Sequence, residues 1–511
     1  MDFVDFSTSV WSIIPPLLAL SLAIITRRVL LSLSAGIIVG ALMLNGGNLL
    51  DAAHYTFSSV SSLVYSDGAL NADYTNIIIF LILLGILTSL LTISGSNQAF
   101  VNWAQKHIKQ KRGAKLLTVF LGVFIFIDDY FNSLAVGAIA RPVTDKYKIS
   151  RAKLAYLLDS TAAPMCVIMP ISSWGAYIIT LIGGLLATHA ITEYSPIGAF
   201  IAMIGMNFYA IFALVLVFIV AIFSFDIGPM AHFERNAENA EAISDDISNG
   251  KQGRVMDLIL PIFVLIIGTI SMMIYTGAQS LTADGQPFSI LGAFENTVVG
   301  TSLVVGGLAA LITATLCALS SKQISLKEYV SAYALGIKSM FGAILVLFFA
   351  WTINTIVSDM HTGKYLSGLV SGSIAIGFLP VMLFILSAVM AFSTGTSWGT
   401  FGIMLPIAAS IAVNADPALL LPCLSAVMAG AVCGDHCSPI SDTTILSSTG
   451  ASCNHIDHVT TQLPYAMLVA TSSAVGYLVV GFTQSGWLGF LATGIVMIGL
   501  ILLFKKRPTK T

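Results

Sequence analysis

Four polar clusters interrupt the apolar stretches of this 511-residue chain. Their residue types are those that hold and exchange small cations. Asp128 and Asp129 stand beside Asn132 and Ser133. Ser172, Ser173 and Trp174 follow a stretch broken by Pro164 and Pro170. The segment STGTSWG (393–399) contributes Thr394, Thr396, Ser397 and Trp398. The segment GDHCSPISDTT (434–444) contributes Asp435, His436, Ser438, Ser441, Asp442, Thr443 and Thr444. Hydroxyls, amide oxygens and carbonyls freed at a helix break are hard ligands suited to a small cation. A carboxylate at membrane depth is costly unless solvated, paired or protonated, so such residues mark ion or proton paths. Carboxylate plus hydroxyls at a broken helix is the donor set of a Na⁺ site.

Several of these residues also have a plainer reading. Asp128 and Asp129 are adjacent, so on a helix they point about 100° apart. One of them faces a site comfortably, while the other caps a helix. Asp435 and His436 serve as a helix-end cap nearly as well as proton carriers, although His436 can titrate near neutral pH. Asp159, in a segment entering from a basic loop, is expected to pair with Lys153 or Arg151 near the surface. Trp174 and Trp398 read first as packing or interfacial anchors. Cys433, His436 and Cys437 match no standard zinc spacing, so no resident metal is expected beyond the transported cation. Cys437 beside His436 is the one nucleophile–base candidate, and neighbours on a helix do not face each other. The chain is therefore expected not to be an enzyme. Gly-rich stretches lack the Lys-Ser/Thr of a phosphate loop, so no cofactor is expected and the drive must come from ion gradients.

Such clusters need elements to hold them, and composition says which. AVILMFWYC make up 56% of the chain and DEKR only 9%, against about 25% charged residues in soluble domains. Mean hydropathy is +0.90. The partner is a lipid bilayer; a formal charge of −2 gives nucleic acid no reason to bind. The six cysteines form no disulfide framework. The first apolar segment follows Asp2 and Asp5 and precedes Arg27 and Arg28, the reverse of a cleaved signal, so it is expected to remain as a helix.

Expected spans are 10–26, 29–45, 76–94, 154–188, 197–224, 255–276, 297–320, 339–357, 419–449, 464–482 and 486–504. Regions 115–142 and 379–413 are instead apolar–polar–apolar, the pattern of re-entrant hairpins buried inside protein. Lys and Arg cluster in 27–28, 106–115, 141–153, 235–254, 322–338 and 505–510. With those stretches inside, the N-terminus is outside and the C-terminus cytoplasmic. The hairpins then enter from opposite faces.

An internal repeat follows. Residues 126–143 lie against 390–407, matching Pro142 with Pro406, and MPISSWG (169–175) lies against SPISDTT (438–444). The fold expected is an all-α polytopic membrane protein of two inverted-topology repeats, each with a re-entrant hairpin and a broken transmembrane helix. An N-terminal helix (1–28) precedes the first repeat (29–224), with its hairpin at 115–142 and broken helix at 154–188. A polar cytoplasmic linker (225–254) and a connecting helix with external loop (255–296) come next. The second repeat (297–482) has its hairpin at 379–413 and broken helix at 419–449, and a helix with a basic tail (483–511) ends the chain.

The stretches FIDDYFNSLAVG (126–137), TGTSWGTFGIMLPIA (394–408) and GDHCSPISDTTILSSTGA (434–451) resemble signatures of the NhaC family of Na⁺/H⁺ antiporters, in the ion-transporter superfamily. The resemblance covers roughly residues 76 to 482. It implies a transport domain beside a scaffold domain, a homodimer and an elevator-like motion. The expectation is an inner-membrane secondary transporter exchanging Na⁺ for H⁺. Na⁺ would be held by Asn132, Ser133, Ser172, Ser173, Thr394, Thr396, Ser397, Ser438, Ser441 and Thr443. Protons would be carried by Asp442 and one of Asp128 or Asp129, with Asp435 and His436 as further coupling groups. The alternative is a Na⁺-coupled carrier of an amino acid or small organic carboxylate, with Trp174 and Trp398 against the organic solute.

The placement of Lys and Arg yields a direct test. A cysteine at position 284 should react with an impermeant maleimide added outside, and one at position 109 only after permeabilisation. Reversed labelling would defeat the orientation and the inverted repeat with it.

Overall fold

The computed structural model describes residues 3–26, 28–66, 68–126, 128–170, 172–239, 253–320, 324–362, 365 and 376–505. Residues 240–252 of the expected linker (225–254) and 506–511 of the basic tail thus lie outside the described residues.

The fold is helical almost throughout. It begins with α1 (Ile14–Thr26), α2 (Val29–Leu44), α3 (Leu49–Ser62), α4 (Ala72–Ile93) and α5 (Ser96–His107). Two short strands, β1 (Tyr65–Ser66) and β2 (Ala69–Leu70), pair antiparallel between α3 and α4, with Tyr65 opposite Leu70. Next come α6 (Lys111–Phe124), α7 (Asp129–Lys146), α8 (Arg151–Cys166), α9 (Ser173–Thr188), α10 (Pro196–Ile204), α11 (Phe208–Phe223) and α12 (Pro229–Asn239). The chain continues with α13 (Met256–Ala283), α14 (Ile290–Glu295), α15 (Val299–Ser320) and α16 (Leu326–Asp359). It ends with α17 (Leu379–Thr394), α18 (Ser397–Ala415), α19 (Leu420–Cys437), α20 (Asp442–Gly450), α21 (His455–Thr483) and α22 (Gly486–Lys505).

Among the described residues nine helices are long and apolar enough to cross a membrane. A tenth joins them if α10 and α11, bent by 47°, form one span. That bend corrects the expectation of an unbroken span over 197–224. The chain leaves the helix at Gly205, and the Asn207 side chain accepts the Ala210 N–H to start a new one. The expected span 464–482 begins earlier, at His455, because Asn454 caps the helix by accepting from Ile456 and Asp457. The expected loop 46–75 contains α3 and the two strands.

The interruptions expected in the four polar regions are present. α6 and α7 are separated by residues 125–128, and α17 and α18 by Gly395 and Thr396. α8 and α9 are separated by residues 167–172, and α19 and α20 by residues 438–441. α6 and α7 pack on each other and both on α8; α17 and α18 do the same with α19. Each pair also reaches across the molecule, α7 onto α20 and α18 onto α9.

One apolar core gathers side chains of α8, α9, α11 and α17–α19 with α21, including Trp174, Phe208, Phe401 and Tyr477. A second joins α4, α13, α15 and α16 to α7 and α20. Where α7 meets α20 there is no space for a side chain: a Cβ on Gly137 would stand 2.7 Å from the Gly450 carbonyl oxygen. α4 meets α16 as closely, for a Cβ on Gly85 would lie 2.5 Å from the Gly336 carbonyl oxygen. Between these two tight pairs lies a cavity of about 560 Å³, with Thr88, Arg141, Ser339, Ser448 and Ser452 among its lining.

A polar clamp outside the spans fastens α12 to the base of the first helix pair. Lys111 Nζ lies 2.9 Å from Glu234 Oε2 and 2.9 Å from Glu238 Oε1. The Ser150 N–H donates to Glu234 Oε1 at 2.8 Å, just before α8. Burial alone would push the Glu234 carboxyl up, but Lys153 and Lys111 outweigh it and hold the group below its usual 4.5. A carboxylate with a lowered folded-state pKa stabilises at pH above the unfolded value, and that stability is lost as pH falls through the folded value. Glu234→Gln should therefore lower stability by about 2 kcal/mol at pH 7. The deficit should shrink as the pH is taken below 4.5, which thermal unfolding in detergent at several pH values would show.

Candidate ion-binding site

Helix ends inside the molecule need partners, and at the first two breaks the polar clusters supply them. Asn132 closes the gap between α6 and α7. Its Nδ2 lies 2.6 Å from the Gly122 carbonyl, 2.8 Å from Ile125 and 3.2 Å from Thr161 on α8. The other amide atom, Asn132 Oδ1, is buried with no hydrogen-bond partner among the described residues. Ser172 closes the gap between α8 and α9: its hydroxyl accepts the Gly175 N–H at 2.9 Å and lies 2.7 Å from the Cys166 carbonyl.

Next to Asn132 stand Asp128 and Asp129, both buried. Asp129 Oδ1 accepts from Trp174 Nε1 at 2.9 Å, while Oδ2, also buried, has no hydrogen-bond partner among the described residues. Asp129 lies within electrostatic reach of Asp128, Asp442 and Asp435. Tyr130 donates its hydroxyl to Asp442 Oδ2, and the Thr443 N–H donates to Asp442 Oδ1 at 3.0 Å.

The second helix pair meets the second break in the same region. Asp435, near the end of α19, accepts from the Ser441 hydroxyl at 2.5 Å and from the Ser397 hydroxyl at 2.8 Å. Ser441 is also 2.7 Å from the Thr443 hydroxyl. Ser438 donates to the Phe392 carbonyl at 2.8 Å, tying the break to α17. Thr394 donates to Met390 O at 2.9 Å, and half-buried Thr396 opens α18. Gly395 turns the chain with φ 68°, and a Cβ there would lie 2.7 Å from the Ile440 carbonyl oxygen. The tip of this pair is thus pressed against the break between α19 and α20.

The structure brings Asp128, Asp129, Asn132, Ser397, Asp435, Ser441, Asp442 and Thr443 together. Others among the expected residues are turned elsewhere. Ser133 faces Ser447 at 3.0 Å, and His436 has Ser160 and Tyr209 on its two ring nitrogens. Trp398 packs with Trp174 and Tyr177 in an aromatic group. The side chain of Ser173 lies outside the described residues.

Asp159 is a correction. It does not pair near the surface, since Arg151 goes to Asp145 and Lys153 to Asp226. It is 0% exposed and bonded to His458, Gln462 and Ser447. The rule that marks Asp442 as functional, a carboxylate within an apolar span, marks Asp159 equally. Tyr130 was also readable as a donor beside two carboxylates. His458 and Gln462 sit one turn apart on α21, in the segment placed before the expected start of that span.

Residues 165–482 match the family described as the Na⁺/H⁺ antiporter family. That match takes in more than half of the chain. The chain belongs to the Na⁺/H⁺ antiporter family. As a member it is a secondary transporter that exchanges Na⁺ for H⁺ across a membrane it crosses many times. It is 67% identical to an uncharacterised protein of Haemophilus influenzae over 99% of this chain and 98% of that one. It is 29% identical to the malate-2H⁺/Na⁺-lactate antiporter of Bacillus subtilis over 32% of this chain and 34% of that protein. A third relative, an uncharacterised Na⁺/H⁺ antiporter of H. influenzae, is 38% identical over 18% of this chain and 21% of that one.

In this antiporter Gly395 is a sharp probe of the second tip. Gly395→Ala adds a Cβ against Ile440 at a left-handed backbone position, at a cost of about 1–3 kcal/mol. Melting should fall and apparent Na⁺ affinity weaken about tenfold or more. Unchanged Na⁺ dependence in vesicle flux would show that the tip need not press on the break.

Proposed function

We propose that Na⁺ and H⁺ compete for the buried carboxylates where the two helix tips meet the two helix breaks. One observation carries this reading. Asp129 Oδ2 and Asn132 Oδ1 are buried acceptors that receive no hydrogen bond from the described residues, and such oxygens are what a hard cation replaces its water with. Asp442, bonded to Tyr130, stands within reach of the same group. A carboxylate carrying a proton is neutral, and one holding Na⁺ is neutralised. A buried carboxylate with neither is a bare charge in a medium that penalises it heavily. Occupancy therefore alternates, and each ion leaves as the other arrives.

The division of labour follows from the contacts. Asp442 and Asp129 exchange proton for cation, with Asp128 beside them. Asn132, Thr396 and Thr443 supply neutral oxygens. Asp435 is steadied by Ser397 and Ser441, whose hydroxyls also preserve the shape of the second break. Ser172 and Ser438 act on backbone carbonyls and hold the breaks open. Trp174 spends its N–H on Asp129, and Trp398 is packed among rings. Neither is turned to an organic solute, so pure cation exchange is the better reading.

The reciprocal packing of α7 on α20 and α18 on α9 supports two inverted repeats, with each tip entering from its own side. The N-terminus then lies outside, the C-terminus in the cytoplasm, and the membrane is the inner one. The resemblance to the NhaC family adds a homodimer and an elevator-like movement of a transport domain along a scaffold.

Asp442→Asn tests the mechanism. Asparagine keeps the size and an oxygen but cannot cycle a proton. Na⁺-driven proton movement in proteoliposomes should fall about a hundredfold or more, while Na⁺ still binds with weaker affinity. In the unaltered protein raising pH should strengthen Na⁺ binding, and this dependence should flatten in the variant. Wild-type proton movement by Asp442→Asn would place the exchanging group elsewhere.

A further inference from the structure

Behind the second break lies a second buried ionisable pair, which the exchange mechanism leaves unused. Asp159 on α8 and His458 on α21 are both 0% exposed. His458 Nε2 is 3.1 Å from Asp159 Oδ2, and Gln462 Nε2 donates to the same oxygen at 2.5 Å. Ser447 on α20 lies 3.3 Å from Asp159 Oδ1. Of the two ring nitrogens of His458, Nδ1 is buried without a hydrogen-bond partner among the described residues. His436, by contrast, has both nitrogens engaged by hydroxyls.

The neighbouring groups leave the pair its own charge. Tyr209 reaches in from α11 and is bound to His436 on α19. Tyr156, a turn earlier on α8, stacks on Tyr465 of α21. His455 at the start of α21 lies between Ser448 and the Pro439 carbonyl. Lys153 and Lys115, at the other end of this bundle, are taken by Asp226 and Ser224, and Glu234 by Lys111. With neutral imidazole the pair bears one negative charge. One added proton, at Asp159 Oδ1 or at His458 Nδ1, brings it to zero without moving a heavy atom, and that proton belongs to the pair rather than to either residue.

Two serines lead from this pair towards the ion site. Ser447 Oγ is 3.0 Å from Ser133 Oγ, and Ser133 stands one turn after Asp129 on α7. Both serines are 0% exposed. A proton can pass by relay: Ser447 gives its hydrogen to Asp159 Oδ1 and takes that of Ser133, and the relay requires that Ser133 in turn be resupplied from the carboxylates one helical turn away. Release runs the same steps backwards. The Gln462 amide also bonds the carbonyl of His436 at 2.5 Å, beside Asp435, and Asp435 senses the charge on Asp159.

We propose that Asp159 and His458 form a second proton-binding site, loaded through Ser133 and Ser447, so that each cycle moves two protons against one Na⁺. This rests on the Na⁺/H⁺ exchange reading above. Such exchange moves one net charge, whereas a one-for-one exchanger moves none.

The full-length protein in proteoliposomes, with Na⁺ and pH followed together and the potential set by potassium and valinomycin, decides it. About two protons should move per Na⁺, and a tenfold potassium gradient should shift the equilibrium Na⁺ gradient about tenfold. His458→Gln, which keeps an N–H donor for Asp159, should leave exchange at about one proton per Na⁺ with no response to potential. Ser447→Ala should do the same by cutting the relay, and stands in if His458→Gln does not insert. One proton per Na⁺ in the unaltered protein, or two retained in both variants, overturns the second site and leaves exchange intact. An unaltered protein that moves no protons with Na⁺ overturns the exchange reading itself.

Discussion

A bilayer offers no water to an interrupted helix, so any chain that breaks a helix inside it must close the break with its own side chains. Most other features of this structure follow from that requirement. Asn132 draws carbonyls of α6 and α8 onto one amide, Ser172 serves both ends of the gap between α8 and α9, and Ser438 holds α17. These residues are polar because the backbone demands it. Once they are present, oxygen atoms are gathered where the proposed exchange would place its cation. In the proposed exchange Asn132 serves both needs, its amide nitrogen closing the break and its amide oxygen left for the cation.

Carboxylates complete the arrangement. Asp435 accepts a hydroxyl on each carboxylate oxygen, whereas Asp129 has one oxygen held by Trp174 and one without a donor among the described residues. That asymmetry separates a group that shapes the site from a group able to take a ligand. It also explains why the tips are held so closely by non-polar means. Gly395 against Ile440 and Gly137 against Gly450 place backbone on backbone, leaving the side chains free to face inwards.

How much of this was legible in the sequence depended on whether the signal was local. The breaks at 167–172, 395–396 and 438–441 were legible because Pro, Gly, Ser and Thr interrupt apolar runs there, and the break at 125–128 because Asp128 and Asp129 end one. The grouping of Asp128, Asp129, Asp435 and Asp442 was legible through the rarity of carboxylates in apolar segments. Asp159 was misread because Lys153 and Arg151, close in sequence, are natural partners; their capture by Asp226 and Asp145 is a tertiary fact. His458 and Gln462 were missed because polar residues early in α21 lower its hydropathy, although they face inwards. The bend between α10 and α11 was hidden for the opposite reason, since both flanks are uniformly apolar.

The cavity between the two glycine-tight helix pairs carries a mechanical consequence. A shift of α7 along α20, or of α4 along α16, would bring a Cβ against a carbonyl that now faces a glycine. Any relative movement of the two pairs would therefore fall along the seam that separates them, where about 560 Å³ is open and lined by hydroxyls and Arg141. At about 30 Å³ per molecule, a space of that size holds on the order of twenty waters. Any stroke that closes the seam must expel them, so it does work against the surrounding solution as well as within the protein. Water activity becomes a load on the cycle, and solutes too large to enter the seam favour its closed form.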